Sequence, residues 1–316
     1  MTDYIYDGSF DGLLTVIWHH YYTDQAARIC TPENFQPSFL QGSVEVETDS
    51  VKADKVYQAI RYKISEYDLR SVYRAWLSCD PEKEMKILRY VVLGFRERHR
   101  TSSLHGNPVV ADFQGILQKI SKESERMLQF VRFSVIREAT GGAEITAATT
   151  TAEATSETEV ASETTSKTGV EATADTVDEA TADTVDEATS EATTEPPAGT
   201  TSPADREIMY ARVEPDNDVI ELAAKHFCDR FHQESFIIHD VGRDKAVIAS
   251  RGRWVISAFA PEQAPDTSAD ERQIRQLWKQ YYDHIAIMER KNTRCQNNFL
   301  PDRYRKHLTE IITADL

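Results

Sequence analysis

The stretch FIIHDVGRDKAVIASRGRWVISAF, residues 236–259, decides the fold class of this chain. It holds three short apolar segments, residues 236–239, 245–250 and 253–259, and a glycine lies in each of the two connections. Short apolar segments separated by Gly-containing turns are typical of consecutive antiparallel strands. The stretch therefore predicts an antiparallel meander.

Helical periodicity flanks this meander on both sides. The helices predicted before it cover residues 9–21, with Ser9 as N-cap, then segments from about 49 and around 69–77, followed by 81–98, 109–124 and 218–232. After it, residues 270–291 form a long helix whose inward face is Ile274, Leu277, Trp278, Tyr281, Ile285 and Met288, and Pro301 begins a last one. We predict an α+β fold, an antiparallel sheet covered by helices from both ends of the chain.

An acidic tract interrupts this pattern between two predicted strands. In the first, apolar Val131, Phe133 and Val135 alternate with residues 132, 134 and 136, and the second covers residues 209–213. Residues 139–205 hold fifteen Asp or Glu and one Lys, a net charge of −14 out of −16 for the whole chain, and the octad ATADTVDE occurs twice. Such a composition buries too little apolar area to offset its ordering entropy. We therefore expect a disordered insert within one discontinuous domain, residues 1–138 plus 206–316.

The rest of the chain carries a net charge of only −2, so its folded part is compatible with binding to DNA phosphates. The four cysteines lie far apart without a CxxC pair, which argues against zinc or iron–sulfur sites, and we expect no metal and no other cofactor. The N-terminus lacks the pattern of a signal peptide, and no run of about 18 apolar residues suggests a membrane span. The expected compartment is the cytoplasm.

Two local patterns could carry chemistry. His239 and Asp240 end the first meander strand, where a His beside a carboxylate can act as acid or base. The alternative is turn chemistry, in which Asp240 bonds the local backbone. Residues 7–9, Asp-Gly-Ser, could present amides to a phosphate at a helix N-terminus, but a single Gly is weak evidence and an ordinary capped helix start is the favoured interpretation.

The C-terminal segment is basic and rich in aromatic residues. Between residues 271 and 312 it has nine Lys or Arg against five carboxylates, interleaved with Tyr281, Tyr282, Phe299 and Tyr304. Cations beside aromatic rings are typical of contacts with a single strand or a flipped base. The alternative is a solvated helix face whose aromatic residues lie in the core.

Several motifs occur together, in order, along the chain: YDGSFDGLLT (6–15), TDSVKADKV (48–56), FVRF (130–133), EPDNDVIELAAKHF (214–227), IIHD (237–240) and the series Arg290, Asn292, Gln296, Pro301, Tyr304. In these motifs the chain resembles the bacterial family called "probable DNA metabolism protein", a domain of unknown function. It departs from the family at Glu125, where a Glu-x-His-Arg stretch has His, at Gln129, where Gly is expected, and at Arg305, where Trp is expected.

The resemblance implies a context in DNA metabolism or repair. Members of the family are encoded beside a radical-SAM protein of DNA modification or repair, or are fused ahead of a uracil-DNA-glycosylase-like domain. Our preferred hypothesis is an accessory protein that acts with such a partner in trans. Its candidate nucleic-acid contacts are Arg132, Arg290, Arg294, Gln296, Tyr304 and Lys306. Two alternatives stay open: a nucleotide- or DNA-processing enzyme that uses His239 and Asp240, and a protein-interaction adaptor without nucleic-acid contact.

Overall fold

The computed structural model describes residues 1–37, 42–137, 207–260 and 269–311. The strands in these ranges are β1 (Thr2–Ile5), β2 (Ala26–Cys30), β3 (Ser43–Glu45), β4 (Ser134–Arg137), β5 (Glu207–Val213), β6 (Ser235–Asp240), β7 (Lys245–Ser250) and β8 (Arg253–Ala258). The α-helices are α1 (Phe10–Tyr22), α2 (Ser50–Lys63), α3 (Glu66–Trp76), α4 (Lys83–Glu97), α5 (Pro108–Phe130), α6 (Ile220–Arg230), α7 (Ala269–Ile285), α8 (Thr293–Phe299) and α9 (Asp302–Arg305). The α+β class predicted from the sequence is confirmed.

The larger sheet is mixed and has the strand order β4-β5-β6-β7-β8. Strands β6, β7 and β8 pair antiparallel, which confirms the predicted meander, and β4 pairs antiparallel with β5. Strands β5 and β6 run parallel, because α6 connects them and returns the chain to the same end of the sheet. The prediction of an antiparallel sheet is therefore only partly right.

A second sheet has the order β2-β1-β3, and both of its pairings are parallel. Of its strands, the sequence predicts only the first, at residues 4–6, and the structure places that strand at Thr2–Ile5. Strand β2 carries the charged residue Arg28 at its centre, and all three residues of β3 are exposed. Neither strand has the alternating apolar pattern by which a strand is recognised.

Strand β4 begins later than its sequence pattern suggests, because α5 continues to Phe130. Ser134 and Ile136 are buried, whereas Val135 is 37% exposed. Alternate residues of a strand face opposite sides, and Ile136 packs in the smaller apolar cluster, while Phe133, just before the strand, packs against the main core.

The predicted helix starts are confirmed where a side-chain cap marks them. The Ser9 hydroxyl accepts a hydrogen bond of 2.9 Å from the Gly12 amide at the start of α1. The Asp49 carboxylate caps α2 in the same way, by accepting a 3.1 Å bond from Lys52 N. The Asp7 carboxylate also accepts from Ser9 N, at 2.9 Å, so the start of α1 is an ordinary capped helix terminus.

The main hydrophobic core lies between the N-terminal helices, α6 and one face of the larger sheet. An aromatic group in it joins the β4 region to α6 and β6, and consists of Phe133, Phe227, Phe231 and Phe236, with ring centroids 5.3–6.4 Å apart. The other face of the sheet carries a smaller apolar cluster that includes Tyr210, Ile237 and Phe259. The core therefore connects residues from both sides of the segment 138–206.

The helix α7 corrects a prediction about burial. The six apolar residues of the predicted inward face are between 46% and 66% exposed: Ile274, Leu277, Trp278, Tyr281, Ile285 and Met288. These six residues form an apolar stripe, the α7 stripe, and no element in the described part of the chain covers it. The Arg275 side chain links α7 to β4 by a hydrogen bond to the Ser134 hydroxyl. Periodicity thus predicts an apolar face, and not what covers that face.

The described residues on both sides of the segment 138–206 belong to one compact unit. The insert predicted at residues 139–205 lies outside the described ranges. In those ranges, no helix has both the length and the apolar character that crossing a bilayer requires.

Candidate functional site

A pocket of about 230 Å³ opens where four segments of the chain meet. It is lined by residues 78–80, which connect α3 to α4, by one face of α5, by Asp216 and Asn217 before α6, and by Arg303 of α9. These segments are distant in sequence, so the pocket depends on contacts that hold them together.

Glu123 of α5 makes most of these contacts and is only 2% exposed. Its carboxylate accepts hydrogen bonds of 2.8 Å from the backbone amides of Asp216 and Asn217, and one from the Asn217 side chain. It also accepts from Arg303, at 3.0 Å, and from the Tyr304 hydroxyl, at 3.3 Å. One carboxylate therefore joins α5, the loop before α6 and α9.

The protonation state of Glu123 follows from these partners. Burial alone would raise the pKa of this carboxyl group, but the Asn217 and Asp216 hydrogen bonds and the Arg303 charge outweigh it, and the pKa lies below its usual value. Burial, with the nearby Glu123 charge, raises the pKa of Tyr304. Glu123 is thus a paired carboxylate and Tyr304 a neutral donor at neutral pH.

Asn217 extends the network to the connection between α3 and α4. Its side-chain oxygen Oδ1 accepts hydrogen bonds from the Ser78 hydroxyl, at 3.2 Å, and from the Cys79 amide, at 3.0 Å. The next amide, of Asp218, donates to the Leu77 carbonyl at 2.9 Å. The Asn217 side chain therefore joins the connection between α3 and α4, through its oxygen, to Glu123 of α5, through its nitrogen.

The charges around the pocket do not cancel. Three carboxylates line it, and each has a cation: Asp80 pairs with Lys86 at 3.0 Å and Lys119 at 3.7 Å, while Glu123 and Asp216 both pair with Arg303 at 3.0 Å. Two further cations, Lys122 and Arg126 of α5, line the pocket without an acidic partner in the described part of the chain. The lining residues alone have four cations against three carboxylates, an excess of one positive charge.

Three of the predicted nucleic-acid contacts are engaged within the protein. Tyr304 is 4% exposed and bonded to Glu123. Lys306 forms an ion pair with Glu214. Arg132 lies 3.6 Å from Glu310 and donates to the Gln129 carbonyl at 3.1 Å. The structure bonds Tyr304 to Glu123, a residue that lines the pocket, and gives the other two ionic partners on the protein surface.

The other three predicted contacts lie on an exposed surface. Arg290 ends a short 3-10 helix, and Arg294 and Gln296 belong to α8. All three are exposed, and neither arginine has an acidic partner among the residues that the structure describes. These three residues do not enclose a site, and the charges of the two arginines face solvent.

His239 and Asp240 are not brought together, since successive residues of a strand point to opposite faces of the sheet. His239 is 1% exposed, its Nδ1 lies 2.7 Å from the Tyr210 hydroxyl, and its Nε2 has no partner in the described structure. Burial, aided by Arg212, lowers its pKa. The fully buried Asp240 accepts from Arg243 at 2.9 Å and from the Gly242 amide at 3.1 Å, the contact expected of turn chemistry.

Comparison with protein families gives one match. The sequence profile of DUF4130, a domain of unknown function, matches residues 81–160 and 201–310, more than half of the chain. The chain belongs to the DUF4130 family. No curated protein and no solved structure matches it. The prediction that it is a member of a family of domains of unknown function is confirmed.

The pocket of this DUF4130 protein is not among the sites predicted from sequence. Its central residues Glu123 and Arg126 are the first and last positions of the stretch that is Glu-x-His-Arg in the family, in which this chain departs at Glu125. The signal was present in that stretch and in the EPDN motif, which contains Asp216 and Asn217. A buried Glu on a helix needs hydrogen-bond donors from elsewhere in the chain. The stretch that contains Glu123 could therefore have been paired with the EPDN motif, which supplies such donors.

Proposed function

We propose that this DUF4130 protein is an accessory factor of DNA metabolism or repair that contacts single-stranded DNA or a flipped base. In this proposal it acts in trans with a radical-SAM protein or a uracil-DNA-glycosylase-like protein. The choice of partner rests on the sequence resemblance described above. The choice of ligand rests on the surface of the C-terminal segment.

The supporting observation is that aromatic rings and unpaired cations are exposed together in residues 278–299. Trp278 is 46% exposed, Tyr281 55% and Phe299 72%. Among the described residues, Arg290 and Arg294 in the same segment have no acidic partner. Exposed rings that can stack on bases, beside cations that can contact phosphates, are what binding to a single strand requires.

The electrostatic part is tested by the salt dependence of binding to a fluorescein-labelled oligo(dT), measured by fluorescence anisotropy. For single strands, each phosphate contact contributes about 0.7 to the slope of log K against log salt concentration. Replacing Arg290 and Arg294 together by Ala should weaken binding and lower this slope. The matched control replaces Lys55 and Lys225, two exposed lysines of α2 and α6, and should leave the slope unchanged. Absence of binding even at low ionic strength contradicts the proposal.

The stacking part is tested with Phe299→Ala, which removes an exposed ring without changing charge. Stacking of a base on an aromatic ring contributes about 1–3 kcal/mol, so the affinity for oligo(dT) should fall at least about fivefold. Tyr62→Ala is the control, because Tyr62 of α2 is 78% exposed and lies outside the C-terminal segment. Equal effects of the two variants would argue against a specific stacking surface.

A second candidate, a protein-interaction adaptor without nucleic-acid contact, is favoured by the aliphatic residues of the α7 stripe. Ile274, Leu277 and Ile285 are 55–60% exposed, and aliphatic side chains do not stack on bases. An amphipathic helix can bind a groove of another protein through such a stripe. This candidate predicts no affinity for oligo(dT), together with loss of co-purification of the partner in Leu277→Ser.

A further inference from the structure

We propose that the pocket between α5 and α9 binds a phosphate monoester, with Lys122 and Arg126 as its direct ligands. This inference does not rest on the proposed function, because it concerns a different surface from residues 278–299. Its basis is the charge, the geometry and the size of the pocket.

The charge of the pocket suits an anion. Each lining carboxylate already has a cation, and Lys122 and Arg126 have no acidic partner among the residues that the structure describes. A phosphate monoester carries about −1.5 to −2 charges at neutral pH. Its oxygens could therefore contact both of these cations.

The positions of the two cations suit a shared ligand. Lys122 and Arg126 are four residues apart on α5, and residues with this spacing lie on one face of a helix with about 5–6 Å between their Cβ atoms. Lys119, one turn before Lys122, lines the same pocket. Arginine can bind phosphate with two parallel hydrogen bonds, and lysine adds a point charge.

Arg303 also lines the pocket, but its Nη2 group already pairs with Glu123 and Asp216. Its charge is therefore used within the protein, which leaves Lys122 and Arg126 as the cations for a ligand.

The pocket is held in place and is small. The Glu123 network fixes α5 against the Asp216–Asn217 pair and α9, so binding requires little ordering of the protein. Its volume of about 230 Å³ lies below the ~300 Å³ at which pockets for drug-sized ligands begin. A group the size of one phosphate or one nucleotide suits this space.

Two sources supply this chemistry: a free mononucleotide, and the phosphorylated end of a DNA strand. Isothermal titration calorimetry at low ionic strength with dTMP and with thymidine tests the phosphate group itself. We expect dTMP to bind and thymidine to bind at least about tenfold more weakly, because hydrogen bonds to a charged group are lost. Equal affinities, or no binding of dTMP and of a phosphorylated strand end, would overturn the inference.

Variants assign the ligand to these residues. Lys122→Gln and Arg126→Gln should each weaken dTMP binding at least about tenfold, whereas Lys225→Gln, which removes an exposed lysine of α6, should have no effect. Arg126 is partly buried, so the melting temperature of its variant is measured as well, while the exposed Lys122 gives the same test independently. Unchanged affinity in Lys122→Gln and in a folded Arg126→Gln would contradict the assignment.

A second set of binding measurements distinguishes a mononucleotide from a phosphorylated strand end, and the pocket from the proposed DNA surface at residues 278–299. A strand-end site requires oligo(dT) with a 5′ or 3′ phosphate to bind more tightly than the hydroxyl-terminated oligomer, and Lys122→Gln to remove the difference. A mononucleotide site requires dTMP to bind without such a difference. The protein with both Arg290 and Arg294 replaced by Ala should keep its dTMP affinity, so failure of the proposed DNA surface leaves the pocket result intact.

Discussion

The backbone amide of Asn217 donates a hydrogen bond of 2.8 Å to the carboxylate of Glu123, a residue 94 positions earlier in the chain. This bond joins the part of the domain before the segment 138–206 to the part after it. Asp216, Arg303 and Tyr304 donate to the same carboxylate. The Glu123 carboxylate therefore stabilises contacts between segments that the sequence separates widely.

Glu123→Gln should lower the free energy of unfolding by about 3 kcal/mol, because it removes the charge that pairs with Arg303 and replaces an acceptor by an amide donor. Urea unfolding followed by circular dichroism measures the change. Glu125→Gln is the matched control, since Glu125 is exposed on the same helix and should change the stability by less than about 0.5 kcal/mol. A similar stability for both variants would show that the network contributes little.

Substitution on α7 should cost little stability, in contrast to the core. Leu277 is 59% exposed, and Leu277→Ala should change the free energy of unfolding by about 0.5 kcal/mol or less. Leu88 of α4 is 2% exposed, and Leu88→Ala should cost about 2–5 kcal/mol. Chemical denaturation of the two variants compares them directly. A large loss in Leu277→Ala would mean that the stripe is buried, as the periodicity alone predicts.

Two glycines in helices should respond in opposite ways to replacement by alanine. A Cβ at Gly12 would overlap the Asp7 carboxylate and lie 2.9 Å from Thr48 Oγ1, so Gly12→Ala should cost about 1–3 kcal/mol. A Cβ at Gly115 of α5 meets no atom within 4 Å, and Gly115→Ala should stabilise the protein by about 0.5–1 kcal/mol. Thermal unfolding of both variants tests the pair. The reverse order of stabilities would contradict the packing at the start of α1.

The buried His239 should make stability depend on pH. Its pKa in the folded protein lies below the ordinary value of 6.5, mainly through burial, so the unfolded chain takes up the proton more readily. Its contribution is fully present above about pH 6.5 and is lost as the pH falls below that value.

His239→Gln should therefore flatten the profile of unfolding free energy between pH 7 and 5, by up to about 1.4 kcal/mol per pH unit. His226→Gln, at an exposed position of α6, is the control and should leave the profile as in the unaltered protein. The comparison uses the slope of the profile and not the absolute stability, because removing a buried side chain also has a pH-independent cost. Parallel profiles for the His239 variant and the unaltered protein would show that His239 does not titrate differently on folding.

Local signals account for the parts of the fold that the sequence predicts. Ser9 and Asp49 mark helix starts because a cap acts within three residues, and the meander around Gly242 and Gly252 is made of neighbouring strands. Strands β2 and β3 are held by parallel pairing with β1 across intervening segments, so no local pattern marks them. Parallel pairing requires a long connection, and its register depends on distant residues.

The candidate site depends even more on distant contacts. The partners of Glu123 lie between 93 and 181 residues away. The sequence shows a Glu inside a helical segment, where an exposed position is the usual expectation. Tyr304, predicted to contact nucleic acid, donates its hydroxyl to that Glu, and its ring lies 6.2 Å from the ring of Phe130.

The register of β4 and β5 has a practical consequence for engineering. Arg137 and Glu207, which border the segment 138–206, are directly opposite each other in an antiparallel pair. Backbones paired in this way lie about 5 Å apart, a distance that a two-residue hairpin turn can span. The position is therefore a natural splice point, at which a short turn or a reporter domain can be exchanged for the native segment while both strands keep their register.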